Sequence, residues 1–319
     1  MGRIVLLVTS PRLPAGLLTA QAWDLVRTHP VFASAESDLV AALRTVGVRV
    51  SIIPAAAAAV LDALAAHGTI VWLAGPTGDE VLARELGLRL AREPELAELE
   101  LMYGSWDPPG ARLLDVVAVM DRLVSPGGDP WKRQQTHQTL ARYLLEEAYE
   151  AYDAIDAHDL AGLKEELGDV LLQVVLHARM AEEADRPWSV DDLAGGLVEK
   201  LVRRNPHVFG DAQVANVDEI IENWERIKRE EKARDSAMDG IALSQPALAL
   251  AAKVVSRARQ AAITVPTPAA PAAVDDEAAL GAALMALVTA AEARGLDAEA
   301  ALRRAALVQA EAVRTAEAG

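Results

Sequence analysis

The sequence predicts a mainly α protein: a small α/β segment, a long helical middle and Ala-rich helices behind it. Three observations carry that prediction. Apolar residues between 113 and 235 recur at helical spacing, strand-like runs lie only before residue 76, and alanine dominates 239–319.

In residues 1–105 the strand-like runs IVLLV (4–8), VRVSII (48–53) and TIVWLAG (69–75) alternate with the helical patterns DLVAALRTVG and DEVLARELGLRLA. That alternation predicts a small α/β unit. GPTGDE at 75–80 is Gly-rich and follows a strand, but no Gly-Lys pair occurs in the chain. A P-loop is therefore excluded, and the segment reads as a connecting loop.

Residues 106–238 change character. Leu113, Val117, Met120 and Val124 share one helix face, and SPGGDP at 125–130 ends the pattern. Helical spacing resumes over about 137–157, pauses near HDLAG, and continues over about 160–184. Ser189 with Asp192 signals a capping box for a helix ending near Asn205-Pro206, and a last helix is expected over 217–235. Nine of the twelve aromatic residues lie between 103 and 224, so specific structure is expected there. Residues 239–319 form two helical patterns joined by the Pro/Ala connection PTPAAPAAVDDEAA at 266–279. The last helix has no aromatic and few bulky residues, and is expected to dock on something or fray.

The formal net charge of −16 argues against wholesale nucleic-acid binding, because a phosphate backbone would be repelled. The absence of cysteine excludes disulfides and thiolate metal sites. The apolar run near the N-terminus is too short for a signal peptide, and no run approaches a membrane span. A soluble cytoplasmic protein is expected.

The chemistry concentrates in two acidic runs. Glu146, Glu147 and Glu150 fall in RYLLEEAYEAYDAID. At about 100° per residue, helical geometry projects all three to one side. Glu166 and Asp169, at i and i+3 in LKEELGDVLLQVV, also project together. Fifteen residues separate Glu150 from Glu166, enough for a helix to end, turn near Asp159 and return antiparallel. Five acids can then converge between two helices. A solvated acidic face is the plain alternative. Against it, the acids are interleaved with Leu144, Leu145, Tyr149, Tyr152 and Leu167, and Asp169 heads the apolar run 170–176. Nor is there a basic ladder: four beyond Glu147, Glu150, Glu166 and Asp169 stand Ala151, Ala154, Val170 and Gln173. Such crowding costs stability unless a cation neutralises it. All-oxygen ligands suit Mg²⁺, or Mn²⁺, rather than zinc. No histidine has a Glu three before it, which rejects a di-iron bundle.

Cations follow in EKLVRRNPHVFG and ENWERIKREEKA: Lys200, Arg203, Arg204 and Lys228. They could grip phosphate oxygens, while Trp131 or Trp224 could stack a base. Solvated helix residues and core tryptophans are the ordinary alternative. His177, on an apolar helix, reads as a satisfied core histidine.

From about 112 to 235 the chain resembles the MazG family of nucleoside triphosphate pyrophosphohydrolases, within the all-α NTP pyrophosphatase group. The blocks DVVAVMDRLVSPGGDPWKRQQTH, YLLEEAYEAYDAI, LKEELGDVLLQVVLHARMAEE, KLVRRNPHVFG and NWERIKREE match in order. The resemblance implies a four-helix-bundle-type domain over 106–238, working as a homodimer. It implies Mg²⁺ binding chiefly by Glu147, Glu150, Glu166 and Asp169. Lys200, Arg204, Trp224 and Lys228 match positions used around the substrate. Lys132 departs from the family, which has Asp after Pro-Trp.

The flanks add less. Residues 1–105 are similar to pieces of a tetrapyrrole-methylase-type domain, truncated and without recognisable cofactor loops. Residues 239–319 resemble a second MazG repeat in which Ala279 and Ala282 replace the Glu-x-x-Asp acids, so one active centre per chain is expected. The expected activity is hydrolysis of nucleoside triphosphates to monophosphate and pyrophosphate, with Glu146 or Glu147 as general base and Lys200, Arg204 and Lys228 balancing charge. The rival expectation is a catalytically silent helical dimer that binds metal or a partner.

Overall fold

The computed structural model describes residues 2–75, 78–232, 236–264, 271 and 273–318. The chain divides into two compact units, Met1–Gly196 and Leu197–Gly319, with the division inside one helix, Val190–Arg204.

The first unit opens with five parallel strands: β1 (Gly2–Val8), β2 (Val31–Ala33), β3 (Val50–Ile52), β4 (Thr69–Leu73) and β5 (Ala97–Tyr103). They form one sheet in the order β3-β2-β4-β1-β5. Four helices alternate with them: α1 (Ala20–Thr28), α2 (Asp38–Thr45), α3 (Ala57–His67) and α4 (Glu80–Arg92). The two-residue period of β1 assigns the faces. Val5 and Leu7 pack with Leu25 and Val26 of α1 and Val40 and Leu43 of α2. Ile4 and Leu6 pack with Val60 and Leu64 of α3 and Leu82 and Leu86 of α4. Both faces are covered, as a parallel sheet requires.

Strands β2 and β5 have no counterpart among the expected strand-like runs. VFA is too short to show a period. AELELMY carries the Glu, Leu, Met and Ala of a good helix former, yet pairs with β1 from Gly2↔Ala97 to Val8↔Tyr103. Tertiary pairing overrides propensity there. Residues 76–77, within the expected loop 75–80, lie outside the described residues, as do 265–270 and 272 of the Pro/Ala connection.

The same unit continues into α5 (Arg112–Val124), α6 (His137–Asp156), α7 (Leu160–Ala181) and the first half of α8 (Val190–Arg204), close to the expected helical segments. Arg12, in the loop after β1, forms ion pairs with Asp107 and, at 2.6 Å, with Asp115 of α5. At the end of α5 the chain reverses sharply: Asp129 N donates to Leu123 O at 2.7 Å, and a Cβ on Gly128 would lie 2.2 Å from that oxygen. Only glycine fits. Thr136 and Thr139 cap α6 reciprocally, and Asp159 caps α7 through the N–H groups of Ala161 and Gly162. The capping box expected at Ser189 and Asp192 is present: Ser189 N donates to the Asp192 carboxylate at 2.8 Å and Asp192 N to Ser189 Oγ at 3.3 Å. Met120, Val124, Leu140, Val175 and Leu176 form the core where α5, α6 and α7 meet.

In the second unit, α9 (Pro206–Phe209) and α10 (Val217–Lys232) precede α11 (Ala247–Gln260), α12 (Glu277–Glu292) and α13 (Ala298–Ala318). Helix α13 docks on α11 and α12, as one of the two expected outcomes had it. Val288 and Ala300 are buried in this group, and Arg259 pairs with Glu292 at 2.6 Å. Among the described residues no helix is long and apolar enough to cross a membrane.

Candidate functional site

Helices α6 and α7 run antiparallel, so the end of one meets the start of the other. Carboxylate oxygens of Glu147, Glu150 and Glu166 lie within 4.8 Å of one another. Glu147 and Glu166 are half-buried and Glu150 is exposed. Asp169, half-buried on α7, adds its charge to the surroundings of both Glu147 and Glu166. Glu146 is exposed on α6 and also bears on Glu147.

The electrostatics follow from this crowding. Desolvation, then the charges of Asp169 and Glu150, hold the Glu147 carboxyl above its ordinary value. Desolvation, then Glu150, Glu165 and Asp169, raise Glu166 in the same way. Clustered, strained carboxylates offering only oxygen are a donor set that fits a hard divalent cation. Of the five acids expected to converge, Glu147, Glu150 and Glu166 bring their oxygens together; Asp169 and Glu146 contribute through their charge on Glu147.

Further along the same helix pair the pattern is polar but not acidic. His137 and His177 place their Nδ1 atoms 2.7 Å apart. His177 is therefore only half the satisfied core histidine expected, because its Nε2 is buried without a partner among the described residues. Gln173 Oε1, one turn nearer the acids, is likewise buried and unpaired among them. Trp131 is half exposed, edge-on to Tyr143 of α6 with centroids 5.9 Å apart. Lys132, the family departure, pairs with Asp129 at 3.2 Å and lies over the Trp131 ring at 5.6 Å.

The second unit gathers most of the predicted cations around Trp224. Lys228 Nζ lies 4.4 Å from the Trp224 ring centroid and the Arg204 guanidinium 5.4 Å. Lys228 also pairs with Glu225 at 3.2 Å. Arg203 Nε reaches Glu231 Oε1 at 2.7 Å, and Arg204 reaches Oε2 through Nε at 3.0 Å and Nη2 at 2.5 Å. Lys200 is half-buried on α8. Sequence reasoning passed over Glu225 and Glu231. A signal was available: Trp224, Lys228 and Glu231, at i, i+4 and i+7, share one face of α10.

In the first unit two helices converge their acids into a donor set that fits a divalent cation, and the second unit separately gathers Arg204 and Lys228 around Trp224. Residues 135–209 match the family model of the MazG nucleotide pyrophosphohydrolase domain. The chain is 50% identical over 240 residues to an uncharacterized 26.1 kDa protein of Streptomyces cacaoi, covering 75% of this chain and 95% of that one. It is 49% identical to a nucleoside triphosphate pyrophosphohydrolase of Mycolicibacterium smegmatis, over 49% of this chain and 48% of the relative. It is 43% identical to the Escherichia coli K12 protein of the same name, over 44% of this chain and 55% of the relative. The chain belongs to the MazG family. Its matches span about half the length of these two named relatives.

Proposed function

We propose that this protein hydrolyses nucleoside triphosphates, ribo- or deoxyribo- and including non-standard ones, to monophosphate and pyrophosphate. The segment 106–238 is the catalytic part, and the family names of its relatives support the reaction class. The observation that carries the reading is the convergence of Glu147, Glu150 and Glu166 within 4.8 Å, with Glu147 and Glu166 pushed above their ordinary pKa.

Glu147, Glu150, Glu166 and Asp169 are the residues that would hold Mg²⁺, with Mn²⁺ as the alternative ion. When bound, such an ion neutralises phosphate oxygens and acidifies a water. Glu146 or Glu147 takes the proton of the attacking water. Lys200, Arg204 and Lys228 balance charge on the phosphates, Arg203 adds a further cation, and Trp131 and Trp224 offer faces to the base. Exposed Leu145, Ile155 and Leu167 on α6 and α7 support pairing with a second copy of the chain.

The test offers the purified protein the eight common NTPs and dNTPs, with and without Mg²⁺, and resolves the products. Monophosphate plus pyrophosphate, formed only with the ion and lost in Asp169→Ala, is the expected result. Diphosphate plus phosphate would overturn the reaction class. Nucleotides left intact, modified ones included, would favour the silent metal- or partner-binding dimer. A fully active Asp169→Ala would overturn the site assignment. That substitution relieves repulsion in the metal-free protein, so its thermal midpoint should change little.

A further inference from the structure

We infer that Glu231 is a positioning residue that presents one edge of the Arg204 guanidinium to the phosphates of the ligand. The inference rests on the reading above that Arg204 meets those phosphates.

Arg204 is a charged side chain only 9% exposed, and its guanidinium is held on two sides. One face lies toward the Trp224 ring at 5.4 Å. One edge, Nε and Nη2, donates to a single oxygen of Glu231. A guanidinium has five N–H donors in a rigid planar fork, so these two bonds fix the plane and the direction of the rest. Among the described residues nothing accepts from Nη1. The Nη1–Nη2 edge is the one left to grip two oxygens of a phosphate side by side, the geometry in which arginine binds such groups most strongly.

Glu231 is itself firmly held. Its second oxygen accepts from Arg203 Nε, and its side chain is 15% exposed. Hydrogen bonding from Arg204 and then Arg203 brings its carboxyl down to about 2. It therefore stays ionised at neutral pH. Two arginines against one carboxylate leave one positive charge over, so the pair still attracts an anion. Lys228 with Glu225 repeats the arrangement one turn earlier on α10.

The experiment compares the full chain with Glu231→Gln and Glu231→Ala. It measures KM and kcat for the best triphosphate with Mg²⁺, pyrophosphate binding by calorimetry, and the thermal midpoint. Glutamine keeps an oxygen that can accept from Nε and Nη2; alanine does not. Expected is a KM about tenfold or more higher in Glu231→Ala, with kcat within about threefold, pyrophosphate binding weakened in parallel, and both restored to within about threefold in Glu231→Gln. Tighter pyrophosphate binding in both variants would overturn the inference, because Glu231 would then be a competitor of the ligand. Equal losses in both variants that track a fallen midpoint would overturn it as well, and so would wild-type protein that binds no pyrophosphate. If wild-type protein binds pyrophosphate yet cleaves no nucleotide, the proposed reaction fails alone, and the binding comparison still decides the role of Glu231.

Discussion

His137 and His177 face each other across α6 and α7 with Nδ1 atoms 2.7 Å apart and rings stacked at 5.0 Å, 7° from parallel. That spacing accommodates one proton. One nitrogen donates and the other accepts, and a second proton would set two donors and two charges against each other.

Burial, and then the charge of His137, hold His177 below the ordinary value of 6.5. A folded pKa below the unfolded one means that the unfolded chain binds more protons between the two. The stabilisation is thus complete above about pH 6.5 and is lost as the pH falls below it. In thermal scans, the midpoint of wild-type protein should drop on acidification from pH 7 to 5 more than that of His177→Gln. Parallel pH profiles would remove the pair from the stability account.

The carboxylates act in the opposite sense. Glu147 and Glu166 have folded pKa values above the unfolded ones, so their strain is absent at low pH and sets in as the pH rises through those values. In the metal-free His177→Gln background, stability should therefore fall as the pH is raised above the ordinary value of 4.5. Mg²⁺ should raise the midpoint at pH 7.5 and do so less at pH 5, where protons compete for the same oxygens.

Glu150→Gln removes one charge from the triad without changing its size. The metal-free midpoint should rise, and the shift produced by Mg²⁺ should shrink. A variant that is less stable without metal and equally responsive to it would show that Glu150 is no ligand.

Leu176 is 1% exposed in the core shared by α5, α6 and α7. Leu176→Ala should cost about 2–5 kcal/mol in urea unfolding, and Mg²⁺ should bind more weakly, since α7 carries Glu166 and Asp169.

Gly128→Ala tests the reversal ahead of α6. The added Cβ would meet the Leu123 carbonyl at 2.2 Å, and the backbone there has no side chain to swing aside. A loss of roughly 1–3 kcal/mol is expected. Trp131 should also become more open to a fluorescence quencher. Unchanged quenching would separate the turn from the placement of Trp131.

The helices and the acid cluster were legible in the sequence because their information is local. The covalent rise and turn of a helix place Glu147 beside Glu150 and Glu166 beside Asp169, whatever lies elsewhere in the chain. The turn at Asp159 then needs only an antiparallel return to bring the two pairs together. Caps were legible for the same reason, as at Ser189 and Asp192. Other features depend on partners distant in sequence. AELELMY became β5 because β1, nearly a hundred residues earlier, supplies its hydrogen bonds. His137 meets His177 only once the register of α6 on α7 is set. Arg204 finds Glu231 only when the end of α8 meets α10, and side-chain spacing within either helix carries no record of that meeting. The sequence by itself determined which residues share a helix face. Tertiary structure decided which faces meet, and so which charges are relieved by a partner and which stay crowded enough to need a cation.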